Sequence, residues 1–260
     1  MQFFDTHAHI GLIYSDPIEQ LRVVQRARLA GVKRIVSINN SLVDFKKVYA
    51  TLRACPEVYH AVGVAPSEVL TPGSNWEKTI EDSLSLPRVI AVGETGLDYF
   101  KQFGDKRSQV ELFIKQLDIA RRHNLPVIIH NRDAGKDVFD ILKERIPEAG
   151  AILHCYGEDA SYAKKCLKEG LNVYFSFAGN LTYRNARNLH ETVLNVPLER
   201  MLIETESPFM IPAEYRTKKR TKPEYLPSTA RFLAEMLDMD LEALSAQLWK
   251  NSCSIFRLPE

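Results

Sequence analysis

Eight short apolar runs rich in β-branched residues recur along the chain, at 3–6, 34–38, 58–64, 89–93, 127–129, 151–153, 173–177 and 201–204. Nothing else in the sequence constrains the fold as strongly. Between them lie longer stretches of helical period, with Ile18, Leu21, Val24 and Leu29 marking one expected buried face and Phe113, Leu117 and Ala120 another. Strands alternating with helices imply βαβ units and a parallel sheet. Eight of them favour a closed (β/α)8 TIM barrel over an open doubly wound sheet, and no G-x-G-x-x-G or Walker pattern argues for a nucleotide-binding sheet. A last periodic stretch, 241–249, reads as an additional C-terminal helix packed outside the barrel. The length of 260 residues is near the ~250 typical of one such barrel. No linker-like composition divides the chain, so the expectation is one α/β domain spanning residues 1–260.

The polar residues that end these runs carry the chemistry. His7 and His9 close the first run at a spacing of i and i+2, which on extended backbone sends both imidazoles to one side. Glu94 follows the fourth run, His130 the fifth, His154 the sixth and Glu206 the eighth. In a barrel all six lie at the C-terminal mouth, the face where barrel enzymes keep their sites. Imidazoles and carboxylates without thiolates suit one or two divalent ions such as Zn, Mn or Mg, and four histidines favour Zn or Mn by softness. Six donors exceed one tetrahedral zinc, whereas a pair of ions bridged by Glu94 would use them all.

Charge and cysteine content narrow the setting. A formal charge of +1 and a pI near 7.7 give no global pull toward nucleic acid or anionic membrane, so any such affinity must come from a local patch. Met1 leads almost directly into the first apolar run, and no run approaches the ~20 residues of a membrane span. Cys55, Cys155, Cys166 and Cys253 are scattered without a C-x-x-C pair, as expected of free thiols in a reducing compartment. The expectation is a cytoplasmic protein. The motifs do not specify oligomeric state.

The stretches FFDTHAH, AVGETGLDY, LPVIIHNRDA, ILHCYG and LIETESPFM, with QVELFIKQLDIARRHNLP before the fifth run, resemble the TatD family of metal-dependent deoxyribonucleases within the amidohydrolase superfamily. The similarity extends to the terminal WKNSCSIF and so covers essentially the whole chain. By matching motifs, the resemblance implies His7, His9, Glu94, His130, His154 and the acid of the ETESP segment, Glu206, as metal ligands. It also implies a metal-dependent phosphodiesterase acting on DNA ends, in which metal activation supplies a water nucleophile for in-line attack on phosphorus. Glu206, and with it the bridging Glu94, are then the candidate catalytic carboxylates, Glu206 as general base. The resemblance gives Glu204 a role in orienting a histidine ligand, and a salt bridge to an arginine is its plainer alternative. Arg132 and Asp133 are candidates for contacting phosphate and orienting a ligand, while Asp98 reads as loop structure.

Departures from the family pattern concern recognition more than metal binding. Glu206 stands where the family usually has Asp, which moves the carboxylate by roughly a C–C bond, ~1.5 Å. The third-run pattern G-x-H-P is here Gly63, Val64, Ala65, Pro66, so an imidazole expected near the substrate phosphate is missing at Ala65. Phe-Ser-Gly after the His-Cys pair is replaced by Tyr156, Gly157 and Glu158, and Arg-Asn before the late proline by Thr221 and Lys222. A basic run, Arg216, Lys218, Lys219, Arg220 and Lys222, follows the eighth strand, where barrels often bind phosphate, and is the expected compensation. Tyr183 and Tyr215 are the only aromatic residues that this reading sets beside it. Three functions follow in order: a TatD-like phosphodiesterase or nuclease acting on DNA, a hydrolase of a small ester, lactone or amide, and a non-catalytic nucleic-acid-binding barrel.

Overall fold

A computed structural model describes all 260 residues and contains eight parallel strands in sequential order. These are β1 (Phe3–Ala8), β2 (Val32–Ser37), β3 (Val58–Val62), β4 (Val89–Asp98), β5 (Val127–Arg132), β6 (Ala151–Leu153), β7 (Val173–Phe177) and β8 (Met201–Ile203). Between and after them lie α1 (Ile10–Ile13), α2 (Pro17–Leu29), α3 (Leu42–Leu52), α4 (Trp76–Leu84), α5 (Lys106–Arg122), α6 (Gly135–Arg145), α7 (Ala160–Lys168), α8 (Arg187–Val193), α9 (Leu226–Met236) and α10 (Leu241–Phe256). The last strand returns to the first: Glu206 N–H donates to the His7 carbonyl at 3.0 Å and His9 N–H to the Ser207 carbonyl at 2.9 Å. The architecture is a (β/α)8 barrel. No helix is long and apolar enough to cross a membrane.

Acidic caps start several of the helices. Asp16, Asp105, Asp159 and Asp240 each accept a first-turn backbone N–H, a contact worth about 1 kcal/mol per helix. The expected stripe on α5 is buried at Phe113, Leu117 and Ala120. On α2 the stripe is rotated: Val23, Val24 and Ala27 are buried with Gln20, while Ile18, Leu21 and Leu29 face solvent. Gln20 explains the offset, because its side-chain amide donates to the Tyr14 carbonyl and a polar residue thereby takes an inward position.

The core has two layers. The larger lies between strands and helices; the smaller takes Phe4, Val36, Ala61, Ala91, Ile128, Ile152, Tyr174 and Leu202, one from each strand, and therefore fills the barrel. Trp249, Cys253, Ile255 and Phe256 of α10 join this inner layer, with Trp249 and Phe256 packed on Phe4 at 5.9 and 5.6 Å. The C-terminal helix thus corrects the expectation of a purely outer element. Its first half, at Leu244 and Leu248, packs in the outer layer, and its second half plugs the N-terminal end of the barrel. That leaves the C-terminal mouth as the open end.

Candidate active site

Glu94 sits at the centre of the mouth with one carboxylate oxygen turned to each of two histidine pairs. Its Oε2 lies 3.7 Å from His7 Nε2 and 3.5 Å from His9 Nε2, and its Oε1 lies 3.0 Å from His130 Nδ1 and 3.3 Å from His154 Nε2. Glu206 Oε2 completes the group, 3.2 Å from His7 Nε2 and 3.7 Å from His9 Nε2. All six donors are brought together. The two halves, His7–His9–Glu94 and Glu94–His130–His154, each have the proximity a metal ion needs, and His7, His154, Glu204 and Glu206 form a third such group.

Local structure sets these positions. His7 belongs to β1, whereas His9 stands at the start of α1 and makes no capping bond, so its ring is free to turn back to His7, Nε2 to Nε2 at 3.0 Å. β4 runs past Glu94 as far as Asp98, longer than its apolar segment suggests. Gly96 permits this close fit of β4 on β5: its φ is +131°, and a Cβ there would lie 2.0 Å from the His130 carbonyl oxygen. After β8 the chain turns, with Glu206 at φ 53°, which aims its carboxylate at the histidines.

Electrostatics divide the histidines into two kinds. Burial, reinforced by the neighbouring imidazoles, holds His7 well below its ordinary value, and burial brings His9 down to about 4; both present neutral rings with lone pairs to donate. Burial also opposes charge on His130 and His154, but carboxylates outweigh it. Asp98 and Glu94 raise His130 to about 9, and Glu94 and Glu204 hold His154 well above the usual range. For Glu94 burial opposes ionisation, and His154 and His130 overcome it and keep the carboxyl well below its usual range. Burial, with the nearby charges of Glu94 and Glu204, pushes Glu206 up to about 8. A buried carboxyl group with Oε2 lacking any hydrogen-bond donor, beside neutral imidazoles whose nitrogens converge on it, is a donor set that could hold a cation.

Supporting contacts extend outward. Glu204 Oε1 accepts the Cys155 N–H at 2.8 Å and lies 3.3 Å from His154 Nδ1, leaving Nε2 of that ring for the centre; no arginine pairs with it. Asp98 does the same for His130, with Oδ2 3.3 Å from Nε2, while its Oδ1 accepts the Lys101 N–H and so also builds the loop. Asp5, fully buried in β1, accepts the Thr205 N–H at 2.9 Å and Thr205 Oγ1 at 2.6 Å, tying the Glu204–Glu206 turn to the strand that carries His7. Sequence reasoning passed over Asp5 and the histidine contact of Asp98. A carboxylate two residues before His7 inside an apolar run was the available signal for Asp5.

A cavity of about 960 Å³ opens over the centre, walled by His9, Ala65, Glu94, His130, His154, Glu206 and the segments after β4 and β5. The cations that line it are Lys101, Arg132 and Lys136, the last paired with Asp140 at 2.7 Å. The basic run after β8 is elsewhere: Lys218, Lys219 and Arg220 do not line it. Arg220 donates to the Ile13 carbonyl and packs over Tyr14, Lys222 pairs with Glu224 at 3.8 Å, and Arg216 stacks on Tyr183 at 4.6 Å. Only Lys218 and Lys219 of that run are without an ion pair, a cation–π contact or a side-chain hydrogen bond.

Comparison with known proteins gives the family. A Bacillus subtilis (strain 168) protein named "Uncharacterized metal-dependent hydrolase YabD" is 36% identical over 257 residues, 98% of this chain and 99% of its own length. The "3'-5' ssDNA/RNA exonuclease TatD" of Escherichia fergusonii is 29% identical over 245 residues, 90% of this chain and 91% of its own. The crystal structure of YjjV, a TatD homologue from Escherichia coli K12, superposes with a TM-score of 0.89 at 26% identity, covering 99% of this chain and 98% of that one. The family described as TatD related DNase matches residues 4–257, and the chain belongs to that family.

Proposed function

We propose that the protein is a divalent-metal-dependent phosphodiesterase that cleaves DNA at its ends, with Zn or Mn favoured over Mg by the histidine-rich donor set. The observation that carries this reading is that one cavity joins the Glu94-bridged donors to the cations Lys101, Arg132 and Lys136, of which Arg132 is held over the Phe100 ring and Lys136 is paired with Asp140. An anionic ester would meet charge complementarity and the reacting centre in the same space. The exonuclease name of the Escherichia fergusonii relative supports the substrate class. A cytoplasmic location is part of the proposal, on the four free cysteines.

His7 and His9 with Glu94 Oε2 would hold one ion, and His130 and His154 with Glu94 Oε1 a second. Divalent ions in such a site supply polarisation of phosphoryl oxygens and acidification of a water. Glu206, favoured in its ionised form by divalent charge bound beside it, would then take the proton of the attacking water at Oε2, the atom that no protein donor occupies. Asp98 and Glu204 hold the His130 and His154 rings in the orientation that keeps one nitrogen on the centre. Arg132 and its neighbours Lys101 and Lys136 neutralise phosphate charge as the substrate enters.

One observation favours the hydrolase of a small ester, lactone or amide as second reading: Ala65 lines the cavity without the imidazole that the family pattern places there. A non-catalytic binding barrel is disfavoured by the complete donor set. Hydrolysis of a single-stranded oligonucleotide and of a panel of small esters, each with Mn, Zn or Mg, separates the readings. Metal-dependent release of nucleotides that chelator abolishes is the expected result. Turnover of esters alone would favour the second reading, and undiminished turnover in metal-free protein would overturn both.

A further inference from the structure

Phe209 has no packing role that accounts for its position. Its ring is 50% exposed, yet it lines the cavity beside Glu206 and His9 in a wall that is otherwise mostly polar. Scattered exposed apolar side chains need no explanation. This one differs in being fixed at the reacting centre. Its N–H donates to the Glu206 carbonyl at 2.8 Å, so ring and candidate base share one turn. The turn is pinned on both sides: Thr221 N–H donates to the Pro208 carbonyl at 2.9 Å, and Gly179 packs so closely on the Met210 carbonyl that a Cβ would lie 2.0 Å from its oxygen. The Phe209 and His9 ring centroids are 6.3 Å apart at 73°, so the ring stands on the scale of a single nucleotide from the His/Glu centre.

We propose that Phe209 is the stacking platform for the base of the nucleotide whose phosphate lies at the centre. The inference rests on the phosphodiesterase reading. A planar base offers the flat apolar face that a pinned, half-exposed ring can cover, and stacking on an aromatic side chain accepts any base. Cavity cations hold the phosphate, and the ring holds the base.

The test uses the full-length, metal-loaded protein with two single-stranded oligonucleotides, one intact and one abasic at the terminal nucleotide, and the variants Phe209→Leu and Phe209→Trp. Leucine keeps apolarity and removes the π-face; tryptophan keeps both. Phe209→Leu should lower the preference for the intact over the abasic end, as a ratio of kcat/KM, by about tenfold, the lower range for loss of one base–aromatic stack, with the change carried by KM. Phe209→Trp should retain the preference. A terminal 2-aminopurine should be quenched on binding to wild type and far less on binding to Phe209→Leu. If wild type cleaves both ends with equal kcat/KM, or Phe209→Leu keeps the wild-type ratio, the stacking assignment is wrong while the phosphodiesterase reading stands. A wild-type enzyme that cleaves neither oligonucleotide overturns both.

Discussion

His60 offers a stability experiment independent of the metal centre. It lies on β3, fully buried, with its ring 4.9 Å from Tyr49 and 6.3 Å from Phe45 of α3, and neither ring nitrogen has a hydrogen-bond partner. Burial, with the nearby Arg88 charge, lowers its pKa from 6.5 to about 4. Between those values the unfolded chain binds a proton that the folded chain refuses. Stability from this residue is therefore complete above pH 6.5 and falls as pH drops toward 4. At 1.36 kcal/mol per pH unit the loss amounts to about 3 kcal/mol, a large share of an ordinary domain's stability. Urea unfolding of wild type and His60→Leu at pH 7.5, 5.5 and 4.0 measures it. His7 and His9, also held down by burial, contribute a decline common to both proteins, so the difference between the curves isolates His60. The variant should gain about 3 kcal/mol relative to wild type on acidification. A difference that stays constant across the three pH values would show that His60 is protonated as easily folded as unfolded, and the argument from burial would fail.

Two substitutions at the centre have equally definite outcomes. Glu206→Ala should cost at least ~10²-fold in turnover, as for loss of a general base, whereas Glu206→Asp, the residue usual in the family, should retain activity; an inactive Asp variant with unchanged fold and metal content would show that this site is built around the longer side chain. Asp98→Asn should weaken metal affinity by roughly 10–100-fold in a calorimetric titration, because it removes the negative partner of His130, and unchanged affinity would mean that Asp98 serves only its loop.

The barrel was legible because its cause is local. Each strand is an apolar run, and eight runs with helices between them leave few ways to bury the helical faces. The six clustered donors were legible for the same reason, being polar residues where apolar runs stop. What escaped was set by partners distant in sequence. Nothing within α2 announces that Gln20 faces inward, since the reason is the Tyr14 carbonyl outside the helix. Likewise, α10 reads as an ordinary amphipathic helix, and its plugging role depends on Phe4 and the seven inner residues of the other strands. Asp5 and Asp98 gain their contacts from Thr205 and His130, which are distant in sequence but lie on the neighbouring strand or its exit.

The basic run shows the same limit in electrostatic form. Five cations within seven residues suggest a phosphate site, but charge density along the chain says nothing of where each side chain is already engaged. Tyr14, Tyr183, Glu224 and the Ile13 carbonyl take up Arg216, Arg220 and Lys222, and these partners lie on three different segments. Lys101, Arg132 and Lys136, separated in sequence and so inconspicuous, are the cations that share a cavity with the His/Glu centre. Arg132 is further held by its guanidinium lying 3.9 Å from the Phe100 ring centroid, which restricts the side chain without neutralising it. The positive charge facing the open centre therefore comes from the segments after β4 and β5, the same side of the mouth from which Asp98 and His130 approach Glu94. Compensation for the imidazole missing at Ala65 is to be sought on that wall, where Arg132 lines the same cavity as Ala65.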